Sequence, residues 1–583
     1  MSLDGTTIAA IVDEFQEKLL KARVDKIYQP KDNLLTFRVR QPGENIKFLL
    51  SANPRNPRVY ITEENFDNPQ QPPNFCMILR KYLQHGRIKE IIQPDFERML
   101  EIIVQVKTDS GDLVDYKLII ELMGRHSNII LTAPNGEILG AIKHVTKKMS
   151  RHREILPGKK YNTPPEQGKK NPLEASWPEF KELLTEQINQ PIYRGIMNSY
   201  RGIGPLMAIE IAFRANLDKS KELKKIKEIE DLWTVFENLF AKISNKEFSP
   251  NLILDQNNNF EAYAAIKLKQ YKNSNSKEYD SISKLLDFYF TEKMERKAYN
   301  RLYQKISKTL EDNFENLDKK ERRLKGQLKG AQNAEKYKLK GELITANIYQ
   351  LEKGLKKVKL ENYYDENNKE ITIELDPELE PHENAEKYFK KYEKAKKSIK
   401  FLKIELQKLA NERIYLEEVE NSLEQAENSQ ELSEIETELI EEGYISDQQK
   451  NPNKRDKKMP PLKFISSDGY QILVGRNNKQ NDKLTKKIAN NQDTWLHVKE
   501  IAGSHTIIKN DTGKEIPEQT LYEAAVIASY HSKAKQSSNV PVDYTQVKYV
   551  KKPKGVKPGL VNYRKHKTLY VDPDETIVKE LKD

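Results

Sequence analysis

One cysteine, Cys76, stands in a chain of 583 residues. A lone thiol excludes an internal disulfide framework and any zinc cluster built on several thiolates of this chain. It also fits a reducing compartment. Histidine is scarce, with nine in all, and no H-E-x-x-H pair is among them. The sequence has no G-x-x-x-x-G-K-[ST] loop, and the nearest stretches, "DTGKE" and "PHENAE", have the wrong spacing. Phosphate-loop nucleotide hydrolysis and zinc-peptidase chemistry are thus left without a motif. Long apolar runs are missing too. "YKLIIELMG" and "EAAVIASY" fall well short of the roughly 20 residues that a membrane helix needs. The opening "MSLDGTTIAAIVDEFQEKLL" carries acids early and shows no basic segment before an apolar run, so no secretory signal is read there. These absences predict a cytoplasmic protein with no membrane span, metal or cofactor.

What the chain does have is charge. Charged residues make up 32% of it, hydrophobic residues 37%, and the formal net charge is +11. Such an excess favours a polyanionic partner, nucleic acid first. At this length several domains are expected.

The pattern along the chain predicts a multidomain α+β protein. Residues 1–172 alternate apolar and polar positions in "NLLTFRVR", "IKFLLSA", "PRVYIT", "RMLEIIVQVKT", "DYKLIIELM" and "SNIILTAP", which read as strands. Helices are expected at 5–22 and near 73–86. Residues 173–290 read as helical, with "YRGIGPLMAIEIAFRA" at the centre. There Gly202, Gly204 and Pro205 form a turn before an apolar face at Leu206, Ile209 and Ala212 or Phe213. The turn suits a helix-hairpin-helix, either purely structural or holding a phosphate on its amides. Residues 291–430 carry leucines seven apart, Leu310, Leu317 and Leu324 followed by Ala331, then Leu402, Leu409, Leu416 and Leu423. Sevenfold spacing amid Glu and Lys predicts a coiled coil. Pro377 and Pro381 interrupt it near 362–382, where "ITIEL" reads as a strand-like tip, so the arms should fold back antiparallel. Arms of about seventy residues would project on the order of 100 Å. Residues 431–458 read as a linker, and 459–575 as a small α+β domain.

Two regions concentrate candidate contact residues. In "GRNNKQNDKLTKKIANNQDTWLHVKEIAGSH", Arg476, Asn477, Asn478, Gln480 and Asn481 offer guanidinium and amide groups suited to phosphates and base edges. Asp493, Trp495, His497, Ser504 and His505 follow. Trp495 suits either stacking on a base or a strand's core face, and His497 suits a phosphate. Asp493, His497 and His505 have no third histidine at ligand spacing, which disfavours a metal. Downstream, "VKYVKKPKGVKPGLVNYRKHK" holds eight Lys or Arg, two tyrosines and no acid, as a phosphate-contacting segment would. In the first domain, "DFERMLEIIVQV" and "ELMGRHSNIIL" place Glu97, Arg98, Arg125, His126, Ser127 and Asn128 next to apolar strands.

Together with "SLDG", "RVDKIYQP" and "ENAEKYFKKYEKAKK", these stretches identify the chain as a member of the NFACT family, whose bacterial members are RqcH-type ribosome-associated quality-control factors. The resemblance spans nearly the whole chain. It implies the order NFACT-N, helix-hairpin-helix, coiled-coil hairpin and RNA-binding NFACT-R domain. It also implies a scaffold rather than an enzyme. Such a protein would bind a large (50S) ribosomal subunit carrying peptidyl-tRNA and recruit aminoacyl-tRNA, chiefly tRNA-Ala. The ribosome itself would then append a C-terminal tail, with a small RNA-binding helper protein as a further partner. The family's tRNA-binding acid–arginine pair is Asp-Arg. Here it falls on Glu97 and Arg98, one methylene longer, with Glu121, Met123, Arg125, His126, Ser127 and Asn128 completing that site by resemblance. NFACT-N is also similar to the N-terminal domain of Fpg/Nei-type glycosylases, but Ser2 stands where their nucleophilic proline would be, so no base excision is expected. The competing expectation is a fibronectin-binding surface adhesin, as an older family name suggests.

Overall fold

The computed structural model describes residues 3–225, 229–365, 369–446, 459–511 and 513–583. The chain divides into two compact units, residues 1–293 and 294–583.

The first unit is built on a nine-stranded sheet. It runs from the edge strand Arg58–Ile61 through Glu44–Ser51, Leu34–Gln41 and Arg23–Lys31 to Arg87–Ile92, Met99–Lys107, Leu113–Glu121, Asn128–Thr132 and Ile138–Ala141. Every neighbouring pair is antiparallel. The helix Gly5–Leu19 starts where Asp4 caps it, accepting from the Thr7 amide at 2.8 Å. Its Ile8, Ile11, Phe15 and Leu19, spaced by three and four, are fully buried with the sheet's Phe37, Phe48 and Leu50. Each such side chain contributes roughly 1.5–3 kcal/mol of burial. The second predicted helix is Asn74–Leu83.

Residues 173–290 are not uniformly helical. Helices at Trp177–Glu186, Ile192–Ser199, Pro205–Arg214 and Ile229–Ser244 are followed by a three-stranded antiparallel sheet of Asn251–Leu254, Phe260–Ala264 and Asn275–Glu278. Strands of four or five residues show too few alternations to outweigh the helical text around them. The first two are joined through "DQNNN", where Asn258 takes φ 59°. Leu252 and Tyr263 of this sheet join the core of the nine-stranded sheet.

In the second unit a long first arm, Ile282–Ala331, which begins in the first unit, meets a second arm, Pro381–Gln425. Leu310, Leu317, Leu324, Leu402, Leu409, Leu416 and Leu423 lie in one buried apolar cluster. Tyr299 Oη donates to the Ala426 carbonyl at 2.8 Å, and Arg413 pairs with Asp318, so contacts climb one arm while descending the other. The first arm has 50 residues, about 75 Å of helix and shorter than the seventy-residue arms that the spacing predicts. It is succeeded by a separate helix, Ala334–Ala346. The first four residues of "ITIEL" lie in the strand Glu370–Glu374, paired with Lys357–Glu361. Pro381 opens the second arm rather than breaking a helix, in a capping box between Glu380 and Glu383.

Part of the expected linker is ordered, as the helix Ser429–Glu441, because Leu432, Ile435 and Leu439 form an apolar stripe at helical spacing. Residues 447–458 lie outside the described residues. The closing domain is a six-stranded antiparallel sheet, ordered Leu462–Ile465, Gln471–Val474, Thr506–Ile508, Thr494–Val498, Val540–Gln546 and Lys567–Val571. The helix Glu518–Tyr530 packs on it.

Candidate nucleic-acid interface

In the first unit three motifs far apart in sequence meet at one point. Asp95 and Phe96 both take left-handed φ, 46° and 59°, which turns the chain sharply just before Glu97. The Phe96 carbonyl then lies against two glycines. A Cβ on Gly202 would stand 2.2 Å from it, and one on Gly5 would stand 2.7 Å from it. The Gly5 amide donates to the Gly202 carbonyl at 2.6 Å. The "GIGP" turn is thus used for close backbone packing against "SLDG" and "PDFER".

This node gathers cations around the Glu97–Arg98 pair. Arg201 Nη1 lies 3.2 Å from Asp95 Oδ2, and its Nε lies 4.0 Å from Glu97 Oε1 while donating to the Lys169 carbonyl at 2.7 Å. Burial pulls the Lys169 ammonium down, and the Arg98 charge pulls the same way against Glu97. The buried Asp4 carboxyl is pushed up by burial, which outweighs its bonds from Thr7 and the Arg98 charge. Arg201 thus meets Asp95 and Glu97, Arg98 and Glu97 both act on Lys169, and Arg98 also acts on Asp4, so three cations and three carboxylates share this node. Neither Lys169 nor Arg201 was legible as a partner of Glu97. They lie 72 and 104 residues away, and only the fold unites them.

The second predicted group in this unit is adjacent, since the Leu122 amide donates to the Arg98 carbonyl at 2.9 Å. Most of it is structural, however. Glu121 is fully buried, gripped by Arg153 through two bonds of 2.6 Å and by Tyr161 Oη at 2.8 Å. It is therefore not free to meet a ligand. Ser127 and Asn128 are also buried. Asn128 pins Lys143, accepting from its amide at 3.1 Å and donating to its carbonyl at 2.9 Å. Met123 is half-buried. Arg125 and His126 alone are exposed, on the turn Gly124–His126, with Arg125 Nε donating to His126 Nε2 at 2.9 Å.

In the second unit, the predicted gripping stretch "DTWLHVKEIAGSH" is mostly interior. Trp495 is fully buried on a central strand, stacked on His497 with centroids 5.7 Å apart and packed against Tyr563 at 4.8 Å. Alternation along a strand shows which residues share a face, but not that both faces are covered, as they are here. Asp493 is buried and accepts from Lys509 Nζ and from the amides of Asn490 and Asn510. His505 takes the Asn481 side-chain oxygen at its amide and Thr485 at Nδ1, and burial pulls it down to about 3. Burial would lower His497 as well, but the Glu418 carboxylate at 3.7 Å prevails and raises it. Ser504 is buried, with its amide on the His531 carbonyl.

The amide and guanidinium groups ahead of this strand are engaged by glutamates of the second arm and of the helix Ser429–Glu441. Arg476 pairs with Glu431. Asn477 caps the helix Asn478–Lys483 through the Gln480 amide and donates to Glu434 at 3.0 Å. Asn478 and Asn481 are buried, and there is no room for a Cβ at Gly475 beside the Asn481 oxygen, 2.1 Å away. Gly503 donates to Glu418, Lys533 pairs with Glu420, Lys479 with Glu441, and Lys557 with Glu442. These residues mount the module; their side chains are not a free RNA surface.

The basic run is the exposed part. Lys548, Lys551, Lys554, Arg564, Lys565 and Lys567 are exposed, and among the described residues none of them is ion-paired. Lys548 and Lys565 flank the Tyr549 ring at 5.2 and 4.9 Å. Unpaired cations beside an aromatic face are what a nucleic-acid backbone and base require.

A multidomain α+β chain with two such cation clusters is of the nucleic-acid-binding class. Residues 4–458 match the NFACT N-terminal and middle domains, and residues 461–565 match the NFACT protein RNA binding domain. The chain belongs to the NFACT family. It is 38% identical to the Rqc2 homolog RqcH of Bacillus subtilis (strain 168), with 100% of both chains covered. It is 23% identical to the ribosome quality control complex subunit NEMF of Homo sapiens, over 90% of this chain and 55% of that one. The solved N-terminal part of the fibronectin/fibrinogen-binding protein from Streptococcus suis is 33% identical over 50% of this chain and 100% of that one, with a TM-score of 0.42. Among the described residues no helix is long and apolar enough to cross a membrane.

Proposed function

We propose that this protein is a cytoplasmic ribosome-associated quality-control factor that binds large (50S) ribosomal subunits still carrying peptidyl-tRNA. It recruits an aminoacyl-tRNA, tRNA-Ala foremost, and a small RNA-binding protein assists. The ribosome's own peptidyl-transferase centre then extends the stalled chain with a C-terminal tail that marks it for degradation. The chain acts as a scaffold, makes no bond itself and excises no base. The observation that carries this reading is the similarity to RqcH along the whole length, 38% identity with neither chain left uncovered.

Within that reading, residues 1–172 with the helical region 173–290 select tRNA through Arg98, Lys169, Arg201 and Glu97, with Arg125 and His126 alongside. The helices Ile192–Ser199 and Pro205–Arg214, joined by the turn at Gly202, support a helix-hairpin-helix role in holding this node. The arms of 291–430 reach along the subunit, and the exposed cations of 459–575 contact RNA. A bidentate arginine or carboxylate contact to a base supplies roughly 1–3 kcal/mol of discrimination, enough to favour one tRNA over another.

The test is to purify the tagged protein from its own cells and sequence the RNA bound to it. Large-subunit RNA with one enriched tRNA family, and little small-subunit RNA, is the expected result. Background RNA without tRNA bias would refute the proposal and return the adhesin reading, which protease shaving of intact cells would then examine.

A further inference from the structure

A pocket of about 380 Å³ opens in the first unit between the latter halves of the helices Pro205–Arg214 and Ile229–Ser244 and the segment after the strand Phe260–Ala264. Arg214, Lys242, Lys269 and Lys272 line it, with Phe213 and Asn238 between them. Its size lies in the usual range of ligand sites, roughly 300–1,000 Å³, and its lining sets four cations beside an apolar part made by Phe213, Val235 and Leu239.

The cations are held in place. Glu210, fully buried, accepts from Arg214 Nε at 2.7 Å and from the amides of Lys269 and Gln270 at 2.8 and 3.1 Å. Arg214 also donates to the Lys267 carbonyl at 2.5 Å. One interior carboxylate thereby fixes both the arginine and the backbone of the segment that carries Lys269 and Lys272. Lys272 Nζ is steadied 5.2 Å over the Phe213 ring. Glu210 neutralises Arg214, but among the described residues Lys242, Lys269 and Lys272 have no ion-pair partner.

The simplest account of lysines near helix C-termini is compensation of the helix dipoles. Its magnitude falls short. Each C-terminus carries about half a negative charge, so two ends offset about one of the three ammonium groups. About two positive charges remain in a concave, anchored site.

We propose that this pocket is an anion site that takes the phosphodiester backbone of an RNA. The RNA partner rests on the function proposed above; the anion chemistry does not. The Asn238 amide and the Phe213 ring add a hydrogen-bonding group and an aromatic surface, the mixture that unpaired RNA uses. The site is separate from the Arg98 cluster. It lies toward the far end of the helix Pro205–Arg214 from the Gly202 turn, roughly 15 Å along its axis.

The test uses the full chain, its triple variant K242Q/K269Q/K272Q, and the charge-preserving K242R/K269R/K272R. Calorimetry with tripolyphosphate should find one site fewer in the Gln variant than in the parent or the Arg variant. Filter binding of bulk deacylated tRNA across a salt series should show the slope of log affinity against log salt reduced by about 0.9 for each phosphate that the variant no longer neutralises. Tight RNA binding with the same slope and the same number of tripolyphosphate sites in the Gln variant would overturn the pocket and leave the proposed function standing. A parent protein that binds no RNA would overturn both the function and the RNA partner here, and tripolyphosphate alone would then decide the anion site.

Discussion

Glu121 offers a sharp test, because its sequence context marks a ligand contact and its surroundings mark a structural anchor. Its side chain is 0% exposed and that of Arg153 is 12% exposed. In Glu121→Ala the Arg153 guanidinium would lose two bonds of 2.6 Å and Tyr161 one of 2.8 Å, with little water to replace them. Removing one partner of a buried ion pair costs about 3–5 kcal/mol, which corresponds to roughly a hundred- to several-thousandfold in a local opening equilibrium. Hydrogen exchange read by mass spectrometry should show that acceleration in the strands Leu113–Glu121 and Asn128–Thr132 and across the Val145–Ile155 bridge. The double variant Glu121→Leu with Arg153→Met removes both charges together and should recover most of the protection. Unchanged exchange in Glu121→Ala, combined with weakened tRNA affinity, would refute the reasoning and restore Glu121 as a direct contact.

Gly202→Ala would place a methyl group 2.2 Å from the Phe96 carbonyl at φ 67°. It should lower the unfolding midpoint of the first unit and weaken tRNA binding together; an unchanged midpoint would contradict the packing argument. Substituting Lys548, Arg564 and Lys565 with Gln should reduce the salt slope of RNA binding by about 0.9 for each phosphate left without its cation, and an unaltered slope would remove the exposed basic run from the interface. The mounting of the RNA-binding module should also depend on pH. Burial raises Glu438 from 4.5 to about 7, so the folded form holds its proton and this stability is lost as pH rises from about 4.5 to about 7. The raised His497 contributes stability below 6.5 that is likewise lost on further rise. His505 and His531, both pulled down to about 3 mainly by burial, act oppositely, and their contribution is lost as pH falls below 6.5. Protection of residues 429–441 should therefore peak near pH 6–7, and Glu438→Gln should flatten the alkaline side. Identical alkaline profiles would exclude Glu438 as the cause.

The heptad leucines were legible because seven-residue spacing repeats often enough to stand out from the charge around it. The strands of the first sheet were legible by alternation, and the expected turn at "GIGP" is present. For Trp495 the strand pattern left base stacking and core burial both open, and the choice between them came from Tyr563, 68 residues on, which packs against the ring. Glu121 reads as a site residue until Arg153 and Tyr161 come into contact with it, 32 and 40 residues downstream. Lys169 and Arg201 carried no local signal, because a cation becomes informative only when the fold sets it beside Glu97. Arg125 and His126 kept their expected exposure because a tight turn lifts them away from the strands on either side.

The glutamates at 418, 420, 431, 434, 441 and 442 stay behind if the closing domain is cut out and handled alone. Arg476, Lys479, Lys533 and Lys557 would then face solvent without their counter-charges, and the fragment would become a stronger and less discriminating polyanion trap than the domain is in the full chain. RNA affinities measured on that fragment would be inflated at low salt and would converge on those of the intact protein as salt screens the orphaned cations.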